Sequence, residues 1–167
     1  NTYWLQPIVV KKENDKYELI DGQQRLTTMF LIYQYIHEKS NHFLNPSKFT
    51  IEYETRKQTK EFLTNINLEE GEKNIDFWHL AQAYKAIDNW FSSKEQYVIT
   101  KFNEYLNEKV KVIWYEVDSS ANSIELFTRL NIGKIPLTNA ELVKAMFLCK
   151  DNNKNMTYKM QQEIALQ

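Results

Sequence analysis

Tyr17-Glu-Leu-Ile-Asp-Gly-Gln-Gln-Arg-Leu-Thr-Thr-Met-Phe-Leu-Ile-Tyr-Gln-Tyr-Ile36 reads as a short strand that breaks at Asp21-Gly22 and turns straight into a long apolar helix. Tyr17 to Ile20 mix aromatic and β-branched character with alternating exposure, and Gly22 supplies a backbone free to take positive φ at the turn. From Gln24 onward Leu26, Met29, Phe30, Tyr33 and Ile36 recur at three- and four-residue intervals, which is one face of a helix. Leu31, Ile32 and Tyr35 add apolar residues off that face, so the helix is expected to be buried on most sides. A buried helix whose start carries Asp, Gly, two Gln and an Arg needs a chemical reason.

The first N–H groups of a helix have no partners inside it, and the aligned peptide dipoles place partial positive charge there, so the position favours an anion. Arg25 adds a fixed cationic fork suited to phosphate or carboxylate, and Gln23 and Gln24 add neutral donors and acceptors. Asp21 is the odd member, because a carboxylate beside a phosphate is repelled by it. Three roles suit it: an N-cap, a ligand for a Mg²⁺ that accompanies the phosphate, or a base that orients water.

The composition sets the outer limits. A chain of 167 residues suits one domain with a real core, and 43% hydrophobic and 14% aromatic content argue against disorder. The formal net charge of −1 gives no global basic field to draw the domain onto DNA or an anionic membrane, so any nucleic-acid contact must be local. No segment has the uninterrupted apolar length of a membrane helix, and Asn1-Thr-Tyr-Trp-Leu is no secretory signal. One cysteine, Cys149, excludes an internal disulfide framework, which fits a cytoplasmic location; on its apolar helix it reads as a core residue. His37, His42 and His79 lack metal-ligand spacing, and no metal site is assigned to them.

In chain order, Tyr3 to Val10, interrupted by Pro7, is expected to form a strand, and Lys11 to Lys16 a polar turn returning it to Tyr17 as a β-hairpin. After the long helix, Phe49 to Tyr53 alternates like a strand, and a short helix follows through Phe62, Leu63 and Ile66. Arg56 between them is a candidate second cation that reads more simply as solvated. Asn67 to Asn74 is an acidic surface turn and the best place for local disorder. Ile75 to Phe91 carries Phe77, Leu80 or Ala81, Tyr84, Ile87 and Phe91 at helical spacing; such a stripe suits a core better than base stacking.

Val98, Phe102, Tyr105 and Leu106 mark a further helix, and Val110 to Val117, apolar on both faces, is placed centrally in a sheet with the hairpin. Ser119 to Leu130 is expected to be a helix with Ile124, Phe127 and Leu130 inward, ended by Asn131-Ile-Gly133. Thr138-Asn-Ala-Glu141 is a capping box that opens another helix, from Asn139 to about Lys150. The fold class that results is α+β: a small sheet in a helix-rich surround, helices predominating. One domain is assigned to 1–150, and 151–167, with Met156, Met160 and Ile164 at fourfold spacing, opens a following helical segment. P-loop, Rossmann, His-Asn-His and paired-carboxylate nuclease patterns are all missing.

Asp21-Gly22-Gln23-Gln24-Arg25-Leu26-Thr27-Thr28 resembles the DGQQR signature of the N-terminal domain of GmrSD-type restriction endonucleases, a family similar to the ParB/sulfiredoxin superfamily. A second block, from Phe127 through Asn131, Gly133 and Lys144, resembles that family's other recognisable stretch, in the expected order and about a hundred residues on. The resemblance covers nearly the whole chain. It implies a ParB/sulfiredoxin-like sheet, a preceding Gln-Arg and aromatic segment in the parent protein, and a nuclease centre in a separate C-terminal domain or subunit.

The resemblance also implies a function: a domain that binds and hydrolyses a nucleoside triphosphate with Mg²⁺ and regulates modification-dependent DNA restriction or phage defence. Gly22 to Arg25 would then cradle phosphates, Asp21 would coordinate Mg²⁺ or position water, and Gln23 and Gln24 would orient water or the γ-phosphate. Asn131, Gly133 and Lys144 would close the far side. The alternative is a non-catalytic ParB-like scaffold that contacts DNA or protein. A sulfiredoxin-like redox reaction is the weakest reading, because it needs a cysteine in the phosphate turn and Cys149 is far from it in sequence.

Overall fold

In the computed structural model, residues 1–53, 58–72 and 74–131 are described. They fall into two compact units, one of Asn1–Ile51 with residues 83–131, the other of Glu52–Gln82. The architecture is α+β, as the sequence predicts.

The first unit holds the sheet. Strands β1 (Tyr3–Glu13) and β2 (Lys16–Asp21) form an antiparallel hairpin, and β3 (Val110–Val117) pairs in parallel with β1, giving the order β2-β1-β3. The hairpin turn is only Asn14-Asp15, with Asn14 at φ 53°, a conformation that asparagine tolerates better than most residues. Strand β1 therefore outlasts its expected end at Val10. Charge allows it, since the added pairs Lys11↔Glu18 and Glu13↔Lys16 set opposite charges across the ladder.

Pro7 does not end β1 but bulges it. Leu5 pairs with Val112 and Ile8 with Trp114, so Gln6 and Pro7 together oppose the single Ile113. A proline has no N–H to give a ladder, and a bulge is where its absence costs least. A second irregularity lies across the hairpin, where Val10 pairs with Leu19 and Val9 with Asp21, skipping Ile20.

The expected central strand is in fact β1, whose Ile8, Val9 and Val10 are buried. Among the described residues β3 lies at the sheet edge, with Ile113, Trp114 and Tyr115 exposed. Apolar content shows how much a strand could bury, not how many strands flank it. Part of that surface is used by Trp114, whose ring meets Tyr17 edge-on at 5.2 Å between centroids.

Helix α1 (Gln23–Lys39) follows β2 directly and buries Phe30, Leu31, Tyr33, Tyr35 and Ile36, the wide apolar surface its sequence calls for. The Tyr35 ring stacks on Phe91 (5.0 Å) and meets Tyr84 edge-on (5.7 Å), both from helix α3 (Ile75–Ser92). Tyr33 Oη donates to Asn107 Oδ1 (3.3 Å) of helix α4 (Gln96–Glu108). After α1, His37 Nδ1 donates to Leu44 O (2.6 Å), which leaves Nε2 to accept from His42 Nδ1 (2.8 Å) and pins the loop.

Phe49 to Tyr53 forms no strand. The Ser47 hydroxyl accepts the Phe49 N–H (3.3 Å) and donates to the Phe49 carbonyl (2.9 Å), occupying the groups that a ladder would need. The Phe49 ring instead packs against Phe30 at 6.0 Å.

In the second unit, helix α2 (Gln58–Thr64) and the first half of α3 meet through Phe62 and Phe77, whose rings stack at 4.4 Å over buried Ala81. The acidic stretch expected to be disordered forms a 3-10 turn, Leu68–Glu72. Its entry is fixed by Asn67, whose Oδ1 accepts from Glu69 N (3.0 Å), and Asn74 Oδ1 caps α3 by accepting from Phe77 N (2.9 Å). The aromatic stripe of α3 is core at Phe77, Tyr84 and Phe91.

Helix α5 (Ser123–Asn131) starts four residues later than expected. Asp118 Oδ1 takes the N–H (2.8 Å) and hydroxyl (2.6 Å) of Ser120, bonds that hold its carboxyl below the usual range. Asn122 Oδ1 then caps the helix, accepting from Ile124 N (3.1 Å) and Glu125 N (3.2 Å). The helix lies beside β2, where Ser123 Oγ donates to Glu18 Oε2 (2.6 Å). Its expected inward face is not buried: Ile124 is 79% exposed, and Phe127 and Leu130 are exposed as well. Arg56, the helix stop at Gly133, the capping box at Thr138, the helix from Asn139, Cys149 and the segment 151–167 lie outside the described residues.

Two outcomes follow from this packing. Leu31 is 1% exposed, so Leu31→Ala is expected to lower unfolding free energy in urea by about 2–4 kcal/mol. Burial, then the adjoining Asp88, pushes the Tyr35 phenol up to about 12, and burial with the hydrogen bond that Tyr84 donates to Glu38 raises Tyr84 still further. Unfolded tyrosines lose their proton near pH ~10 while these two stay protonated in the fold. Their contribution is thus complete below pH ~10 and lost as pH rises through the folded values, so the urea midpoint is expected to fall steeply above pH ~10.

Candidate functional site

The joint between β2 and α1 is built from five consecutive residues and a bulge. Asp21 ends β2, Gly22 is the residue before the first helical turn, and Gln23, Gln24 and Arg25 open α1. The N-cap position thus belongs to Gly22 and not to Asp21, which corrects one of the three roles open to that carboxylate. Gly22 takes φ 103° and ψ 12°, a left-handed conformation, and is buried. A Cβ there would stand 3.1 Å from Ile8 Cγ1 and 3.4 Å from Ile8 Cα. Both backbone angle and space therefore require glycine.

With glycine at the cap, the helix start has no side-chain cap hydrogen bond, and its first turn holds no acidic residue. The helix's own first hydrogen bond runs from Leu26 N to Gly22 O (3.0 Å). The N–H groups before it are the ones that a helix leaves unpaired. Gln23 and Gln24 are exposed at this end.

Asp21 turns instead to Arg25. Arg25 Nη2 donates to Asp21 Oδ2 (3.0 Å) and to the Pro7 carbonyl (2.6 Å), while Nη1 donates to Gln6 Oε1 (2.9 Å). The pair is mostly shielded, with side chains 27% and 26% exposed for Arg25 and Asp21. Arg25 Nε is buried without a hydrogen-bond partner. The guanidinium therefore stitches together the β1 bulge, the end of β2 and the start of α1.

Sequence reasoning finds Asp21 to Arg25 because they are contiguous, and misses Gln6 and Pro7. The proline inside a strand pattern signals a bulge, but nothing in the sequence says that the bulge faces Arg25. Of the other expected site residues, the described one, Asn131, ends α5 and bonds within its own helix, its side-chain Nδ2 donating to Phe127 O (2.6 Å). Gly133 and Lys144 lie outside the described residues.

The donors available suit an anion, and the one carboxylate suits a hard cation. Mg²⁺ is commonly held by one or two carboxylates together with phosphate oxygens, and Asp21 fits that pattern. Among the described residues no cluster of three or more His, Cys, Asp or Glu side chains is placed to hold a metal by protein ligands alone. Among the same residues no helix is long and apolar enough to cross a membrane.

In comparison with known families, the chain matches the model of the GmrSD restriction endonuclease, N-terminal domain, over residues 1–148. The chain belongs to that family. Its match spans both Asp21-Gly-Gln-Gln-Arg25 and the block from Phe127 to Lys144, the two stretches on which the resemblance rests. No curated protein and no solved structure matches the chain. For this GmrSD N-terminal domain, the joint at Gly22 resists a side chain on two counts, its positive φ and its closeness to Ile8.

Gly22→Ala is expected to lower stability by about 1–3 kcal/mol, because the added methyl meets Ile8 and the backbone leaves its preferred region. Urea unfolding checks this; an unchanged midpoint would mean that the joint relaxes freely.

Proposed function

We propose that this GmrSD N-terminal domain binds a nucleoside triphosphate at the β2–α1 joint, hydrolyses it with Mg²⁺, and so regulates DNA cleavage by a separate nuclease domain or subunit. The observation that carries the reading is the uncapped start of α1, with Arg25 beside it and Asp21 one residue before its glycine. An unfilled set of helix N–H groups and a guanidinium are what a polyphosphate needs; a carboxylate within reach serves a cation or water.

In this reading the backbone N–H groups of Gln23 and Gln24 and the Arg25 guanidinium bind phosphate oxygens. Asp21 holds Mg²⁺ or orients the attacking water, and the exposed Gln23 and Gln24 amides align water with the γ-phosphate. Mg²⁺, when bound, supplies neutralisation of the charge that develops on the transferred phosphoryl group. Recognition of modified DNA, restriction and phage defence belong to the full-length protein in the cytoplasm, with cleavage supplied by the nuclease partner.

A second reading, a non-catalytic ParB-like scaffold, draws on one observation: most of Arg25's hydrogen-bonding capacity is spent inside the fold. Calorimetric titration with Mg²⁺-ATP and Mg²⁺-GTP, with phosphate release followed in parallel, separates the two. The nucleotide reading expects saturable binding that weakens by about tenfold or more in Arg25→Lys, which keeps the charge and loses the fork. Asp21→Asn is expected to bind Mg²⁺-nucleotide but not to hydrolyse it. A folded wild-type domain that binds neither nucleotide would leave the scaffold.

A further inference from the structure

Arg25 has five N–H groups, and three are committed: two on Nη2, to Asp21 and Pro7, and one on Nη1, to Gln6. A fourth, on Nε, is buried. One Nη1 N–H is left for anything outside. In this arrangement Arg25 cannot offer phosphate the paired donors that make arginine a strong phosphate ligand.

The contacts are not equal in kind. Gln6 and Pro7 are neutral acceptors, whereas Asp21 is a carboxylate that competes with phosphate for the same cation. Asp21 also repels an incoming phosphate. We infer that the Asp21–Arg25 ion pair is a latch on the nucleotide site, opened by an exchange of partners in which Asp21 turns to a divalent cation and Arg25 to phosphate. The inference rests on the nucleotide reading above and adds its regulation: polyphosphate without a divalent cation finds the arginine occupied.

The exchange is isoelectric at the protein. An ion pair shielded to this degree is costly to break one-sidedly, since either member would be left without a counter-charge. Supplying a cation to Asp21 and an anion to Arg25 in one step avoids that cost.

The test uses ATP in EDTA and ATP with Mg²⁺, on the wild-type domain and on Asp21→Asn, by calorimetry and by NMR of the Arg25 guanidinium nitrogens. The latch expects wild type to bind metal-free ATP about tenfold or more weakly than Asp21→Asn does, and the two to converge with Mg²⁺. It also expects the wild-type Arg25 resonances to move with Mg²⁺-ATP and to stay in place with ATP in EDTA, while those of Asp21→Asn move in both. Equal metal-free affinities, or Mg²⁺-ATP saturating the wild type with Arg25 resonances unmoved, would overturn the latch while leaving the nucleotide site standing. Failure of both proteins to bind ATP with or without Mg²⁺ would overturn the nucleotide reading, and the latch with it.

Discussion

A single guanidinium holds the joint on which this fold turns. Arg25 reaches from the first turn of α1 to the end of β2 through Asp21, and to the bulge of β1 through Gln6 and the Pro7 carbonyl. Each of those contacts exists because the backbone has been bent to provide it. The bulge turns a carbonyl out of the ladder, and the skipped residue at Ile20 brings Asp21 opposite Val9 at the strand end. The charge is shielded but paired, so the cost of taking it from water is met by charge-assisted hydrogen bonds.

The second constraint is Gly22. Its positive φ converts strand into helix in one residue, and its missing side chain lets α1 begin against Ile8. The helix start is left without a side-chain cap, which costs stability unless water or a ligand takes its N–H groups. On the proposed reading, stability and function compete at one place, as expected where a fold keeps polar groups available. The family match, over residues 1–148, includes this joint in the N-terminal domain of the GmrSD restriction endonuclease family.

How far the sequence reveals this depends on how local the cause is. The hairpin, the break at Asp21-Gly22 and the three long helices α1, α3 and α4 were legible because each rests on periodicity or on turn residues within a few positions. The rank of β3 in the sheet was not, since the apolar run Val110 to Val117 does not say which strand lies beside it. Phe49 to Tyr53 alternated like a strand, yet one serine hydroxyl satisfied the backbone groups concerned. The late start of α5 has the same origin in Asp118 and Asn122. In the site, Asp21 to Arg25 could be read directly, while Gln6, 19 positions from Arg25, could be assigned only once the bulge was seen.

The most direct test of the account is a backbone-amide NMR titration of the domain with Mg²⁺-ATP. The account predicts that the largest shifts fall on the amides of Gly22, Gln23, Gln24 and Arg25, with a smaller response in β1 at Gln6 and Ile8. Shifts confined to other surfaces, such as the exposed face of α5, or no shifts at saturating nucleotide, would contradict it.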